Sequence, residues 1–423
     1  MSTVADGGDG AVARAAAAAA DAVAAADAAC TANAVVVGGG VVGCAVLHAL
    51  ARRGVAGVLV EAEQELAMGA SGANSGILHT GFDSEPGALE TRLILRSADL
   101  RRELHGELGI EAWACGARLT PRDEAARSAV RELAERAHAN GVEATLHEDG
   151  SLSVPGEAVT DPVAYTRALA EAARGGGARV LLGAGVTGLA RHPDGGLAVE
   201  LGGRPPLRAR AVVNCAGLYA DEVARLAGES PVSVYPRKGE FLVLAPSTPL
   251  SSILLPVPSA LGKGVLVFPT LDGMIIAGPT AREREDKRDW SVEQDAREWI
   301  VERAAPMYPG LAGARELGAY AGLRPAGRGA NYVIERSRTL PGLVHAAAIR
   351  STGLSASLAI GEHICELLAS DGAVAPGRVR PLPTPALASS PELWWQRAIR
   401  RSRGAPSRPG EPTSAEGSQR SAL

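Results

Sequence analysis

Lysine is almost absent: of 43 basic residues only Lys238, Lys263 and Lys287 are lysine, and the other 40 are arginine. A position that keeps Lys in such a chain calls for a compact ammonium rather than a planar guanidinium fork, so each of the three merits inspection. Cysteine is scarce as well. Cys30, Cys44, Cys115, Cys215 and Cys365 are odd in number and never spaced as Cys-x-x-Cys. That pattern argues against a disulfide framework, a zinc knuckle and a cysteine-held iron–sulfur cluster; no metal is expected, and a reducing, cytoplasmic setting fits. Positive net charge is missing too. At a formal charge of −4 the chain has no general attraction for nucleic acid or an anionic bilayer. It also lacks any run of about 18 consecutive apolar residues, the length a membrane-crossing helix needs. With 423 residues, 46% hydrophobic and 21% charged, a large core in two or three domains is expected.

The two ends differ from the middle. Residues 1–33 are Ala-rich, with Asp6, Asp9, Asp21 and Asp27 against Arg14 alone, unlike a secretory signal; they predict a disordered or loosely helical extension. From 376 onward Pro, Ser, Arg and Gly predominate and predict a largely disordered tail. Within it, Leu393-Trp394-Trp395-Gln396-Arg397-Ala398-Ile399-Arg400-Arg401 joins two aromatics to three arginines. Two readings stay open for this stretch: a short helix packed on a domain, or a peripheral contact with the inner face of a membrane.

Ala34-Val35-Val36-Val37 runs directly into Gly38-Gly39-Gly40-Val41-Val42-Gly43 and a helix-like segment over 44–53. In this strand–turn–helix order, Gly38 permits the tight turn, Gly40 lets backbone approach a pyrophosphate and Gly43 lets helix and strand pack closely. A second apolar strand, Val58-Leu59-Val60, ends in Glu61, eighteen residues after Gly43, where a carboxylate accepts ribose hydroxyls. Dinucleotide binding follows. The small, polar segment Ala70-Ser71-Gly72-Ala73-Asn74-Ser75-Gly76-Ile77-Leu78-His79-Thr80-Gly81 suits close passage along a long cofactor. Ala211-Val212-Val213-Asn214-Cys215-Ala216-Gly217 predicts a further strand of the same sheet. Leu343-Val344-His345-Ala346-Ala347-Ala348-Ile349, then Arg350-Ser351-Thr352-Gly353-Leu354-Ser355, predicts a last strand and a helix start.

These segments, in this order, resemble the FAD-dependent oxidoreductases of the D-amino-acid oxidase superfamily across 34–375. Asn74-Ser75-Gly76-Ile77-Leu78-His79-Thr80-Gly81, Gly262-Lys263-Gly264-Val265, Gly278-Pro279-Thr280 and Leu323-Arg324-Pro325 are similar to the short glycerol-3-phosphate oxidases and dehydrogenases. L-2-hydroxyglutarate dehydrogenases share the Asn-Ser-Gly…His element and an Arg-Pro pair. Phe82-Asp83-Ser84-Glu85-Pro86 lacks the Tyr-Tyr common in the latter, and the cysteine-rich cluster domain of anaerobic glycerol-3-phosphate dehydrogenases is not expected.

The resemblance implies an α/β fold: a discontinuous Rossmann-like FAD-binding domain (34–82, 150–231, 337–375) with an inserted antiparallel-sheet substrate domain (83–149, 232–336). It implies FAD contacts at Gly38, Gly40, Val41, Val42, Gly43, Glu61, Ser71, Asn74, Ser75, Gly76, Val186, Ala216, Gly217, Gly353, Leu354 and Ser355. The helix start at Gly353 can stabilise negative charge on a reduced flavin.

Oxidising a secondary alcohol needs a base for the hydroxyl proton, a hydride path to the flavin and groups that hold the substrate. His79 is the candidate base, with ring-lining or a carbonyl bond as its alternative; five others (His48, His105, His138, His147 and His192) read as packing or surface residues. Lys263, between two glycines, is a candidate anion ligand or proton acceptor, or a solvated loop lysine. Arg324 is the candidate anion clamp, with Arg350 and Ser351 reaching the same place. Lys238 belongs on a strand of the substrate domain. The expected reaction is FAD-dependent oxidation of a small anionic alcohol, sn-glycerol 3-phosphate first and L-2-hydroxyglutarate second, with oxygen, a quinone or a redox protein as electron acceptor. A flavin-binding module without turnover is the alternative of another class.

Overall fold

A computed structural model describes residues 31–193, 195–258, 264–387 and 390–404. In the first strand, Thr31–Val37, the run Ala34–Val37 is buried on both faces, and the strand pairs in parallel with Gly57–Val60 on one side and Arg204–Asn214 on the other. Arg179–Leu181 extends this eight-stranded sheet beyond Gly57–Val60, and Leu343–Ala347 joins Arg204–Asn214, both in parallel. Continuous apolar runs are what a parallel sheet covered on both faces requires. The strand begins at Thr31, three residues before the sequence assigns it.

The helices Val41–Arg52 and Gly353–Ser370 pack together on this sheet. Gly361 sets their separation: a Cβ there would lie 2.6 Å from the Ala45 carbonyl oxygen. Leu89–Leu108 packs against the second of these helices and Pro162–Gly175 against the first.

The second sheet has nine strands and is antiparallel apart from the pairing of Ile253–Leu255 with Ala117–Leu119. Its spine is the long pair Val234–Ala245 and Arg315–Gly327. Leu152–Val154 also belongs to it, through Ala117–Leu119, so the first residues of 150–231 lie with the second sheet rather than with the cofactor sheet. A small third sheet joins Ile77–Leu78, Ala158–Thr160 and Ala112–Trp113.

The Trp/Arg stretch takes the first of its two expected forms, a short helix packed on a domain. Trp394–Ser402 is a helix whose two tryptophans are 5% and 7% exposed, and Trp394 stands edge-on to Tyr320, itself stacked on Phe241. Trp395 donates its indole N–H to Asp272 at 3.0 Å. The two tryptophans that a membrane contact would use are therefore packed into the second sheet. Among the described residues no helix is long and apolar enough to cross a membrane. Residues 1–30, the first part of the Ala-rich extension, and 405–423 lie outside the described residues.

Candidate active site

A cavity of about 1750 Å³ separates the two sheets. That is larger than the roughly 300–1,000 Å³ of ordinary small-ligand sites, and suits an extended cofactor with a second molecule beside it. One wall is the glycine turn. Gly38 holds φ at +108°, and a Cβ there would lie 2.4 Å from the Cys215 carbonyl oxygen, so only glycine fits between the first strand and the Cys215–Gly217 turn. At Gly43 a Cβ would lie 2.0 Å from the Gly38 carbonyl oxygen, so this residue sets the close approach of helix to strand. Gly40 is open by comparison, with only Ser71 Oγ within reach of a Cβ. A cradle of this kind leaves room for phosphates at the N-terminus of Val41–Arg52.

Gly38, Gly40, Val41, Val42, Glu61, Ser71, Asn74, Ser75, Ala216, Gly217, Gly353 and Leu354 all line the cavity. Gly43, Gly76, Val186 and Ser355 do not. Gly43 and Gly76 make backbone packing contacts instead; a Cβ on Gly76 would sit 2.4 Å from the Thr160 carbonyl oxygen. Val186 stands on the antiparallel strand Val186–Arg191. Ser355 points back beneath the His79 loop, accepting the His79 backbone N–H at 2.8 Å. Glu61 has its carboxyl pKa raised by burial, and accepts from the backbone N–H groups of Gly39 at 2.5 Å and Glu63 at 2.8 Å. Its carboxylate thus braces the glycine turn as well as facing the cavity.

His79 lines the cavity with its ring fixed from behind. Nδ1 lies 2.9 Å from Oε2 of Glu157, a fully buried carboxylate whose other oxygen accepts from the Thr80 backbone N–H at 2.7 Å and hydroxyl at 2.8 Å. From below, the buried Arg101 guanidinium donates to the carbonyls of Ser355 at 2.5 Å and His79 at 3.2 Å. A carboxylate on one imidazole nitrogen selects the tautomer and orientation of the ring and stabilises the imidazolium formed when the other takes a proton.

Arg324, Arg350 and Ser351 line the same cavity, and Arg237 joins them. Arg237 and Arg324 face each other directly across the Val234–Ala245/Arg315–Gly327 pair, an opposition of like charges that ordinarily costs stability. Gly239 makes the room: a Cβ there would lie 2.3 Å from Arg324 Nη2. Arg324 donates to backbone carbonyls, Nε to Arg237 at 3.2 Å and Nη2 to Thr280 at 2.7 Å, and the buried Nε of Arg237 has no acceptor among the described residues. Burial first, then the charges of Arg237 and Arg350, pull the Arg324 pKa down to about 10. Guanidinium groups gathered in this way have the chemistry to receive an anion.

Of the three lysines, Lys238 is wholly buried on its strand and bonds Asp289 at 2.8 Å, while Lys287 pairs with Asp221 at 2.7 Å and Glu222 at 2.8 Å. Lys263 lies outside the described residues; Gly264 after it lines the cavity. Glu157, Arg101 and Arg237 are the residues sequence reasoning missed.

The sequence matches the FAD dependent oxidoreductase family over residues 33–367. The chain belongs to that family. Its fold and cofactor are those of a flavoenzyme, and the glycine cradle and extended cavity fit FAD. A glycerol 3-phosphate dehydrogenase of Caloramator mitchellensis is 28% identical over 351 residues, covering 79% of this chain and 73% of the relative. An L-2-hydroxyglutarate dehydrogenase of Escherichia coli is 29% identical over 287 residues, covering 61% and 67%. Among solved structures, a dithionite-reduced L-α-glycerophosphate oxidase of Mycoplasma pneumoniae with FAD bound superposes with a TM-score of 0.75 at 27% identity, covering 86% of this chain and 97% of the other. The flavoenzyme is an FAD-dependent oxidoreductase acting on a small substrate.

Proposed function

We propose that this flavoenzyme oxidises sn-glycerol 3-phosphate to dihydroxyacetone phosphate. The observation that carries the proposal is the opposition of Arg237 and Arg324, with Arg350 beside them, on the cavity that also holds the His79–Glu157 pair. One dense dianion suits three convergent guanidinium groups; a dicarboxylate with its charges at opposite ends uses such a cluster for only one of them. The names of the similar glycerol 3-phosphate enzymes support the same choice.

Arg324, Arg237 and Arg350 hold the phosphate and so fix the distance of the carbinol from the imidazole. His79 takes the hydroxyl proton, and Glu157 holds the ring and balances the charge it gains. Bound FAD supplies the acceptor for the hydride that leaves the carbinol carbon. Ser351, at the end of the last strand, borders the same space.

Oxidised enzyme mixed anaerobically with sn-glycerol 3-phosphate, L-2-hydroxyglutarate or glycerol tests the assignment. The flavin bleaches rapidly with the first, and dihydroxyacetone phosphate accumulates in equal amount; faster bleaching with L-2-hydroxyglutarate reassigns the substrate. Glu157→Gln provides a further check. It is expected to slow flavin reduction about 10- to 100-fold and to displace its pH profile toward acid, because the neutral amide no longer stabilises an imidazolium. A slower enzyme with an unmoved profile would reduce Glu157 to a packing role.

A further inference from the structure

Beyond the family-matched residues 33–367, the helix Trp394–Ser402 brings a cation to the cofactor cavity. The helix is firmly seated. Its tryptophans are buried, Ser402 Oγ accepts the Ala321 backbone N–H at 2.9 Å, and Ile399 fills the space beside Gly318, where a Cβ would lie 2.8 Å from Ile399 Cδ1.

Its three arginines have different environments. Arg400 pairs with Glu392 at 3.0 Å and Arg397 with Glu65 at 2.9 Å. Arg401 lines the cavity, its guanidinium carbon 3.8 Å from the centroid of the Trp290 ring, and its buried Nε and Nη1 have no acceptor among the described residues. Stacking on the indole face holds the guanidinium plane, and burial without acceptors is costly for a group with five donors. Its charged neighbours are Glu61, Glu63 and Arg397, whereas those of Arg324 are Arg237 and Arg350. Arg401 therefore belongs to the end of the cavity marked by Glu61 and the glycine turn, where the adenosine half of a dinucleotide lies.

We propose that Arg401 is a ligand of the FAD diphosphate, delivered by a helix outside the family match. The diphosphate is the anionic part of that half of FAD, and an oriented fork gives it two parallel N–H donors. Seating of the helix and retention of FAD then support each other.

The test uses full-length apoprotein, titrated with FAD by quenching of flavin fluorescence, for wild type, Arg401→Met, Arg401→Lys and Arg400→Met. Arg401→Met weakens FAD binding at least about tenfold, the scale of a lost charged hydrogen bond. Arg401→Lys recovers part of that loss, and Arg400→Met stays within about twofold of wild type. ADP, as a competitor of FAD reconstitution, weakens by the same factor as FAD in Arg401→Met. The apoprotein Tm stays at the wild-type value while the rise on adding FAD shrinks. Unchanged FAD affinity overturns the proposal; so does weakened FAD with unchanged ADP competition, since the guanidinium would then serve the isoalloxazine half. If Arg401→Met lowers the apoprotein Tm, Arg401→Lys decides by the same FAD and ADP comparison.

Discussion

Replacing His79 by asparagine is expected to slow anaerobic flavin reduction by sn-glycerol 3-phosphate about 10²- to 10⁴-fold, with FAD content unchanged, the range general-base catalysis supplies. The loss is confined to the chemical step because the loop stays tied down without the imidazole. Its supports are backbone contacts: the His79 N–H on Ser355, the His79 carbonyl on Arg101 and the Thr80 N–H on Glu157. Asparagine retains one donor toward Glu157, so the buried carboxylate keeps a partner, but it cannot accept the hydroxyl proton. Stopped-flow absorbance of the flavin gives both the rate and the substrate affinity. A decrease of less than about fivefold would mean that His79 only lines the ring and that another group takes the proton.

Arg324→Met is expected to weaken binding of sn-glycerol 3-phosphate about 10²-fold or more, the cost of truncating one side of a desolvated charge pair. The weak reaction of glycerol, which has no phosphate to hold, stays nearly unchanged. The same substitution leaves the Tm of the substrate-free enzyme equal or higher. Burial and the charges of Arg237 and Arg350 lower the Arg324 pKa to about 10, so the side chain stays cationic at neutral pH but its charge is less stable than in water, and a neutral side chain removes that cost. Arg324→Lys restores only part of the affinity, because an ammonium cannot make two parallel bonds. If binding and glycerol turnover fall together, Arg324 acts on the fold rather than on the phosphate.

How much of this was legible beforehand depends on what each feature demands locally. Phosphates at a helix N-terminus impose glycine at fixed spacings, and Gly38, Gly40 and Gly43 stand next to a β-branched run, so the cofactor cradle can be read directly from residues. His79 and Arg324 stood out through short neighbouring motifs. Glu157 did not, because it meets His79 across 78 residues and follows an ordinary Pro155-Gly156 turn. Arg237 sat in plain view, yet its side of the sheet is decided by register with Arg324, which no local pattern fixes. The resemblance names Ser355 among the cofactor contacts; its hydroxyl accepts the His79 backbone N–H, a partner 276 residues away that no local pattern indicates. The Trp394–Ser402 stretch left two readings open, and the structure takes the packed helix. Its tryptophans and arginines suit both, and only the groove on the second sheet beside Tyr320 decides between them.

The most direct test is single-turnover, anaerobic reduction of the flavin by sn-glycerol 3-phosphate carrying deuterium at C2. The account predicts stoichiometric bleaching, a several-fold slower rate than with the protiated compound, and dihydroxyacetone phosphate as product. A flavin that stays oxidised, or one reduced at the same rate by both isotopologues, would contradict hydride removal from a phosphate-anchored carbinol in this cavity.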